Sequence, residues 1–485
     1  MEILLPAVDL SVIAPQLVIV VTGLAAMIAS FLIVEERQYL IAYLSLLGVV
    51  IGFVVVLAFW GGPQVSFQGM ALADDYATFF HLVFLTIAAL TILISIKYLP
   101  RAGIERGEYY ILILFATVGM MLMASAGDLI VIFLGLEILS ISLYILAGLA
   151  PRRPPSHESA LKYFLLGAFT SAFLLYGVAL TYGATGTTNL ARIAAFLAGT
   201  QPERDPMAFI GLGLLLVAFG FKVAMVPFHM WVPDVYEGAP SSVTAFMSVG
   251  AKAAGFAAFL RVLLGAFPAM GAQWSLTLAI LSALTMTVGN VIAMVQTSVK
   301  RLLAYSGIAH AGYVLIGLAV ADEWGAAAAL FYLFAYTFTN LGAFMIVITQ
   351  ERRGWEYLKL TDYAGLIRRQ PVLAAAMTFF LLSLAGIPPT VGFVGKLFIF
   401  SAAIRANLLW LAVIGVLNSV ISVYVYVRVI VAMFMKEPEE VLPPVPLSFP
   451  SGLALAIAFT GTLIFGVFPA QVVDLAQQAV TIFGQ

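Results

Sequence analysis

The sequence predicts an all-α, polytopic membrane protein with about fourteen transmembrane helices. Hydrophobic residues make up 63% of its 485 residues and charged residues only 10%, and the mean hydropathy is +1.07. Soluble domains carry about 25% charged residues, so a soluble globular protein is excluded. A spanning helix needs about 20 apolar residues, and apolar runs of this length recur along the chain with short polar connections between them.

Two of the predicted spans contain helix breakers. The seventh span runs into Pro227, and the twelfth contains AGIPPTVGFVGK, which should divide it into two half-helices. Broken helices at membrane depth must face protein or a wet cavity. The predicted spans are 12–34, 39–60, 76–98, 109–126, 128–149, 158–183, 207–230, 241–266, 274–297, 301–320, 325–350, 372–405, 408–434 and 449–469. The segment after the fourteenth span, 470–485, is predicted to be a short interfacial helix or a frayed tail.

Basic residues concentrate in alternate connections. Connections after even-numbered spans hold only Arg192, Arg204 and Arg405, so the positive-inside rule predicts that the opposite face is cytoplasmic and that both termini lie on the non-cytoplasmic side. The basic residues after odd-numbered spans are Arg37, Lys97, Arg101, Arg106, Arg152, Arg153, Lys300, Arg301, Arg352, Arg353, Lys359, Arg368, Arg369 and Lys436.

A weak internal repeat links the two halves of the chain. SALKYFLLGAFTS at 159–171 aligns without gaps with AALFYLFAYTFTN at 328–340. Spans 4–8 and 9–13 then form two five-helix repeats, and because five is odd the repeats are inverted, an arrangement in which paired broken helices mark the transport site. The expected division is an N-terminal three-helix segment (1–108), a first repeat (109–266), a second repeat (274–434) and a C-terminal helix and tail (435–485).

Glu137 and Lys222 are the first candidates for an intramembrane proton path. Charged side chains at bilayer depth cost about 2.5–3.5 kcal/mol on insertion scales and are therefore functional by default. Burial favours a neutral amine, whereas a nearby carboxylate favours the charged form, so a Glu137 charge moving toward Lys222 would switch its proton affinity. The alternatives are a static ion pair for Glu137 and snorkelling for Lys222, although the seventh span is expected to continue several residues past Lys222.

Other titratable groups extend this candidate path. Lys252 lies mid-span among small residues that leave room for water, and Lys396 follows the break of the twelfth span. His310 could bridge these lysines through water, or it could be structural. Lys162 could belong to the path or snorkel to the interface, and His229, at the end of the broken seventh span, is a further candidate. Arg261 and Arg428 are expected to be structural, and Asp128, Asp234 and Glu237 are expected to be solvated or to cap helices.

The composition gives no sign of a redox centre. The chain has no cysteine, which excludes iron–sulfur clusters and thiolate-bound metals within it. Its four histidines lie far apart in sequence and give little support to a haem or metal site, and no basic run suggests nucleic acid.

Five motifs resemble the antiporter-like membrane subunits of proton-pumping NADH:quinone oxidoreductase, respiratory complex I. Lys396 and the single span after residue 434 are similar to the subunit N type of this family, rather than to subunit M, which has a glutamate there, or to subunit L, which has a long C-terminal extension. The motifs are GDLIVIFLGLEILS, ESALKYFLLGAFTSAFLLYG, FGFKVAMVPFHMWVPDVYEGAP, KRLLAYSGIAHAGYVLIG and LSLAGIPPTVGFVGKLFIF.

The resemblance implies a non-redox subunit of a translocase in the bacterial inner membrane. Its key pair falls on Glu137 and Lys222, its connecting lysine on Lys252 and its exit lysine on Lys396, and Lys162 and His310 match polar positions of the family's central axis. It also implies that NADH, FMN, iron–sulfur clusters and quinone are bound by sister subunits, with no cofactor in this chain, and that other antiporter-like subunits are partners.

Two other functions are compatible with the pattern. The chain could serve a multisubunit cation/proton antiporter or a membrane-bound hydrogenase, or it could be a structural scaffold that docks other subunits. A scaffold predicts that Glu137, Lys222, Lys252 and Lys396 could all become apolar without loss of pumping.

Overall fold

A computed structural model describes residues 8–34, 37–58, 60–61, 64–200, 205–351, 358–438 and 445–483. Across these ranges the chain is nearly all helical, and thirteen helices are long and apolar enough to cross a bilayer. The twelfth predicted span is not among these thirteen, because it consists of two shorter helices separated by a break, as the sequence predicts. The predicted fold class is therefore confirmed. Arg204, Arg352 and Arg353, which contribute to the predicted orientation, lie outside the described residues.

The long helices follow the predicted spans closely. The first six are α1 (Ala14–Leu32), α2 (Tyr39–Ala58), α3 (Asp75–Ala102), α4 (Gly107–Ala124), α5 (Leu129–Ala147) and α6 (Pro154–Thr185). The next helices are α7 (Leu190–Ala198), α8 (Pro206–Val223), α9 (Val232–Gly238), α10 (Ser241–Phe246), α11 (Lys252–Ala266), α12 (Gly271–Ala293), α13 (Val299–Ala319) and α14 (Glu323–Gln350). The last are α15 (Leu366–Arg369), α16 (Pro371–Ala385), α17 (Val391–Arg405), α18 (Leu409–Met435), α19 (Phe449–Val467) and α20 (Ala470–Val480).

The first half-helices of the two broken spans, α8 and α16, end in the same way. Each is followed by a residue in the left-handed region, Ala224 with φ +65° and Gly386 with φ +85°. The amides beyond that residue bond back to the last turn, so carbonyls that lose their helical partners at the break are satisfied inside the protein. Cis peptide bonds precede Pro227 and Pro389. The closing hydrogen bonds run from Met225 N to Gly220 O at 2.8 Å and from Ile387 N to Leu382 O at 3.0 Å.

Helix α8, which corresponds to the seventh predicted span, ends earlier than the sequence predicts. A span over 207–230 was expected, but α8 stops at Val223 because Ala224 turns left-handed. The amide of Val226 donates instead to Thr285 Oγ1 of α12 at 3.0 Å, a tertiary contact that the local sequence does not reveal. Lys222 therefore lies in the last turn of a half-helix, and the expectation that the helix continues several residues beyond it is wrong.

The eighth span contains a π-helical turn. Residues Met247–Ala251 form this turn between α10 and α11, and Lys252 follows it directly. One-turn π segments occur mostly at functional sites, because the extra residue shifts the side chains that follow around the helix axis. Helical periodicity alone does not predict this turn.

Small elements outside the spans also differ from the prediction. Strands β1 (Gln64–Ser66) and β2 (Ala71–Ala73) form an antiparallel hairpin before α3. The short helix α7 follows α6 and buries Leu190, Ile193 and Leu197. These elements lie in polar connections, where no long apolar run signals secondary structure.

The most deeply buried spans include those that carry Lys252 and His310. The spans Ser241–Ala266, Val299–Ala319 and Glu323–Gln350 are almost completely enclosed by the other helices, whereas α1 and α2 are largely exposed. The C-terminal helix α20 packs onto the bundle through Val472, Ala476 and Ala479. The proposed division at 1–108, 109–266, 274–434 and 435–485 stays a prediction.

Candidate functional site

Lys222 is buried at the end of the first half-helix, α8. Only 4% of the residue is exposed, and its Nζ donates a hydrogen bond of 2.8 Å to Ser140 Oγ on α5. The C-terminal end of a helix carries a partial negative charge that favours a cation. Lys222 is thus held by a helix end and a hydroxyl group.

Glu137 is half-buried on α5, one turn before Ser140. Its carboxylate accepts a hydrogen bond from the Ser171 hydroxyl of α6. The described residues include no ion pair within 4.0 Å between Glu137 and Lys222, and each side chain is instead bonded to a serine hydroxyl. Direct pairing, which the sequence suggested, is therefore replaced by an interaction across hydroxyl groups.

A small cavity lies between these two groups. It is lined by Lys222, Ser140, Tyr163 and Ser171, among others, and leaves about 10 Å³ for the centre of a water molecule. That volume and the polar lining suit one bridging water. The cavity therefore places room for water between Lys222 and Ser171, the hydroxyl partner of Glu137.

Stacked aromatic rings extend from Lys222 toward Lys252. The Lys222 ammonium lies 6.0 Å from the centre of the Tyr163 ring, which stacks on Trp231 at 4.7 Å. Trp231 contacts Tyr236 at 6.1 Å, and the Lys252 ammonium lies 5.9 Å from the Tyr236 ring. The hydroxyl groups of Tyr163 and Tyr236 are buried without a hydrogen-bond partner in the part of the chain that the structure describes. Buried polar groups of this kind are rarely left unpaired unless water or function requires them.

Lys252 is a buried ammonium with no hydrogen-bond partner among the described residues. A Cβ atom on Gly307 of α13 would lie 2.6 Å from Lys252 Nζ and 3.0 Å from the Tyr336 hydroxyl, which also lacks a partner. Glycine at 307 therefore keeps space open where Lys252 and Tyr336 converge.

His310 lies in a cage of tyrosines on α13. Its Nδ1 is 2.8 Å from the Tyr332 hydroxyl and its Nε2 is 3.1 Å from the Tyr426 hydroxyl. The Tyr336 ring lies 5.0 Å from the imidazole. Tyr336 thus connects the surroundings of His310 with those of Lys252, and a second cavity with about 10 Å³ for the centre of a water molecule adjoins His310 and Tyr336.

Lys396 reaches back across the break of the twelfth span. It lies on α17, but its Nζ donates a hydrogen bond of 2.8 Å to the carbonyl of Ala385, the last residue of α16. Its ammonium also lies 4.9 Å from the Tyr313 ring, which contacts His310 at 5.8 Å. The ammonium groups of Lys222 and Lys396 therefore both lie at the C-terminal end of a first half-helix. Lys222 precedes its break in the sequence, whereas Lys396 follows its own.

Lys162 is part of a different cluster. It is 40% exposed and forms ion pairs of 2.7 Å with Glu158 and Asp234, and Arg301 bonds Asp234 at 3.0 Å and Glu237 at 2.9 Å. Burial raises the pKa of Asp234, but hydrogen bonds from Lys162 and Arg301 outweigh burial and hold this pKa below its ordinary value. This network joins α6, α9 and α13 at the membrane surface, and Asp234 and Glu237 are paired rather than simply solvated.

His229 lies in the loop that follows α8. It is half-buried beside the exposed Met230. Burial lowers the pKa of His229, and a hydrogen bond with the Pro227 backbone partly opposes this change. Among the described residues, no hydrogen bond joins His229 to Lys222, Lys252 or Lys396.

The two spanning arginines and Asp128 have structural contacts. Arg261 forms a buried bidentate pair with Asp74 at 2.8 and 2.9 Å. Arg428 donates to backbone carbonyls that follow α12. Asp128 caps α5 through the Ile130 amide at 2.9 Å.

Sequence reasoning missed several buried charged residues, among them Asp74, Glu351 and Lys300. Lys300, assigned to a polar connection, is 0% exposed and donates a hydrogen bond of 2.9 Å to the Ala239 carbonyl. It also missed the tyrosines Tyr163, Tyr236, Tyr332, Tyr336 and Tyr426, because an aromatic residue in an apolar run looks like ordinary core. In the described part of the chain, no group of three His, Asp or Glu side chains is arranged to hold a metal ion.

Comparison with known proteins identifies the family. The NADH:quinone oxidoreductase/Mrp antiporter transmembrane family matches residues 126–422. Subunit N of NADH-quinone oxidoreductase from Trichlorobacter lovleyi is 50% identical over 478 residues, covering 98% of both chains. The chain belongs to the subunit N family of NADH-quinone oxidoreductase. The predicted resemblance is therefore confirmed.

Solved structures agree with this assignment. A chain of respiratory complex I from Thermus thermophilus with bound Aureothin is 37% identical, with a TM-score of 0.81 over 96% of this chain and 99% of the other. A chain of the Mrp complex from Dietzia sp. superimposes with a TM-score of 0.85 over 98% of both chains, but it is only 21% identical, so it shows a shared fold alone. The chain is a membrane subunit of a translocase that assembles with other membrane subunits.

Proposed function

We propose that this chain carries protons across the membrane through a relay of Glu137, Lys222, Lys252, His310 and Lys396. The relay responds to electron transfer in sister subunits of NADH-quinone oxidoreductase. NADH, FMN, iron–sulfur clusters and quinone belong to those subunits, and this chain supplies the titrating side chains and the cavities around them.

One observation carries the proposal. Within the described residues, no carboxylate lies within 4.0 Å of the ammonium groups of Lys222, Lys252 or Lys396, although all three lysines are buried. A buried charge that only clamps helices together needs a close counter-charge. Three buried amines without one are suited to gaining and losing protons.

The geometry supports a sequence of transfers. A charge change at Glu137 alters the proton affinity of Lys222 across the small cavity between Ser171 and Ser140. Lys222 passes its proton along the wall of Tyr163, Trp231 and Tyr236 to Lys252, with water bridging the gaps. From Lys252 the proton passes by the Tyr336 hydroxyl to His310. From His310 it passes beside Tyr313, which contacts both His310 and Lys396, to reach Lys396.

The energy required is within reach of such pairs. Moving one charge against 100 mV costs about 2.3 kcal/mol, which corresponds to a change of about two pKa units at 1.36 kcal/mol each. A carboxylate that approaches a buried amine can change its proton affinity by this amount.

Lys162 and His229 have supporting roles in this proposal. The Lys162 network fixes α9 against α6 and α13 at the mouth of the broken span. His229 lies in the loop that joins α8 to α9, where it can exchange protons with solvent but does not contact the buried lysines.

The proposed orientation places both termini on the non-cytoplasmic side of a bacterial inner membrane. The chain has no cysteine, so a single cysteine introduced into it can be labelled with a membrane-impermeant maleimide and detected on this subunit without background from the rest of the chain. Lys436→Cys should react from the cytoplasmic face and Arg192→Cys from the opposite face. The reverse pattern would overturn the orientation.

The relay is tested by Lys222→Ala in the intact complex. This change should abolish proton pumping and the coupled reduction of quinone, whereas the exposed Lys436→Ala should leave both unchanged. Full proton-to-electron stoichiometry in Lys222→Ala would contradict the proposed relay. A scaffold function predicts full pumping when Glu137, Lys222, Lys252 and Lys396 are all made apolar.

A further inference from the structure

A second cluster of buried charge lies where the eighth span begins. Glu351 directly follows α14 and is 4% exposed, and its carboxylate accepts a hydrogen bond from the hydroxyl of Ser241, the first residue of α10. The Ser241 amide donates to the Tyr98 hydroxyl of α3 at 3.1 Å. Three distant segments thus meet at a carboxylate that the relay described above does not use.

Lys300 belongs to the same cluster. Its Nζ donates to the carbonyl of Ala239, two residues before Ser241, whose hydroxyl bonds Glu351. Among the described residues, the titratable groups near Glu351 on neighbouring elements are Tyr98 on α3, Lys300 on α13 and Tyr363 on the turn at Leu360–Tyr363, and the charged Arg153 and Glu237 lie near Lys300.

A polar cavity adjoins this cluster at Tyr98. It is lined by the exposed Lys97 and by Tyr98, Arg101 and Thr349, and leaves about 20 Å³ for the centre of a water molecule. That is enough room for a water molecule held by several polar groups. The cavity opens on the face that carries the connections after odd-numbered spans.

A stripe of hydroxyl groups runs from the cluster to Lys252. Ser241, Thr244, Ser248 and Lys252 are spaced three or four residues apart, so they share one side of the span, and all four are buried. Asn340 Nδ2 donates to Ser248 Oγ at 2.7 Å, and Asn340 Oδ1 has no partner. Hydroxyl groups and water pass a proton by accepting one and releasing another.

We propose that Glu351 is the proton-loading group of an uptake mouth that supplies Lys252, and that Lys300 is a positioning residue that holds the mouth together. The Glu351 carboxylate takes up a proton from bulk water, relayed by water in the cavity beside Tyr98, which gains one proton as it gives one up. The Ser241 hydroxyl accepts that proton from Glu351 and releases its own toward Thr244 and then Ser248, with water bridging the gaps, and the neutral amine of Lys252 receives the last proton, which leaves the carboxylate ionised again. The inference rests on the proposed relay, because it gives Lys252 a source of protons other than Lys222.

The charge of Lys300 has a specific part in this arrangement. A positive charge near Glu351 keeps the carboxylate ready to be reprotonated from water rather than permanently neutral, and the bond to Ala239 fixes the end of α9 beside the start of α10. Arginine preserves both effects but does not release a proton, so it separates positioning from proton transfer.

The test uses the assembled complex in membrane vesicles, with coupled quinone reduction and proton pumping measured from pH 6 to pH 8. Glu351→Gln keeps an acceptor for Ser241 but does not titrate, and its rates should fall at least about tenfold at pH 8 and recover toward pH 6, where protons reach the stripe directly from water. Glu351→Asp should keep most of the activity, and the exposed Glu437→Gln should match the wild type at every pH. Wild-type rates for Glu351→Gln across this range would overturn the proposal.

Three further variants keep the test decisive if Glu351→Gln does not assemble. Ser241→Ala removes the hydroxyl link with little change in volume and should lower both rates several-fold. Wild-type rates in this variant would also overturn the proposed mouth.

Lys300→Arg should retain activity and Lys300→Met should lose it. Equal, full activity in both variants would remove Lys300 from the proposal. Normal rates in Glu351→Gln combined with no pumping in Lys222→Ala would reject the mouth alone, and full pumping in Lys222→Ala would reject the relay.

Discussion

Lys396 and Ala385 lie on opposite sides of a helix break, yet they are joined by a hydrogen bond of 2.8 Å from the lysine ammonium to the carbonyl. This contact places the Lys396 ammonium at the C-terminal end of the half-helix α16. Lys222 occupies the same environment at the end of α8. The partial negative charge at each helix end favours the protonated amine, and the break brings that end to the middle of the bundle.

Gly386→Ala should disturb this contact directly. Gly386 has φ +85°, where alanine costs about 1–2 kcal/mol, and a Cβ there would lie 2.7 Å from Lys396 Cδ. We expect lower thermal stability of the purified complex and slower pumping. Gly213→Ala on the exposed side of α8, where a Cβ meets nothing within 4 Å, is the matched control and should change neither. Equal behaviour of the two variants would contradict the role of the break.

Ser140→Ala should weaken the relay at Lys222 without removing the lysine. A hydrogen bond to a charged group contributes about 1.5–3 kcal/mol, and Ser140 supplies the bond of 2.8 Å to Lys222. We expect slower coupled quinone reduction with normal assembly, an effect smaller than that of Lys222→Ala. Ser142→Ala removes a hydroxyl bonded only to the Ile138 carbonyl of its own helix and serves as the control. If both serine variants keep wild-type rates, Ser140 does not hold Lys222 during turnover.

Tyr332→Phe and Tyr426→Phe should loosen His310. Each change removes one hydroxyl partner of the imidazole, at 2.8 and 3.1 Å, and each bond contributes about 1 kcal/mol. We expect each single variant to pump more slowly and the double variant to lose more than either. Tyr424→Phe, on an exposed part of α18, should pump normally. A double variant with wild-type pumping would exclude an oriented imidazole from the path.

Asp234→Asn should reduce stability in a pH-dependent way. Its two cationic partners hold the pKa of Asp234 below 3.8, so the interaction is fully present above that pH and is lost as pH falls through the lower, folded-state pKa. Because the pair is about 37% exposed, the loss at pH 7 should be under about 1 kcal/mol. Thermal unfolding of wild type and variant should differ at pH 7 and converge as the carboxyl group is protonated. A gap that widens in acid would contradict this interpretation.

The sequence alone determined the class of protein, the number of spans, the two broken helices and the charged residues that lie within the spans. These follow from costs that each residue carries wherever it lies: apolar runs partition into the bilayer, prolines break helices, and buried charges are too expensive to keep without a use. Glu137, Lys222, Lys252, His310 and Lys396 could therefore be selected before any contact was known.

The tertiary structure alone decided how these charges are held. Ser140 and Lys222 are 82 residues apart, and Lys300 and Ala239 are 61 apart, so neither contact is encoded in a local pattern. The burial of Lys300, the ion pairs of Lys162 and the tyrosine cage around His310 depend on which helices pack together. The sequence identifies the charged side chains that are costly to bury. Only the packing of distant segments decides which hydroxyl, carbonyl or carboxylate group stabilises each of them.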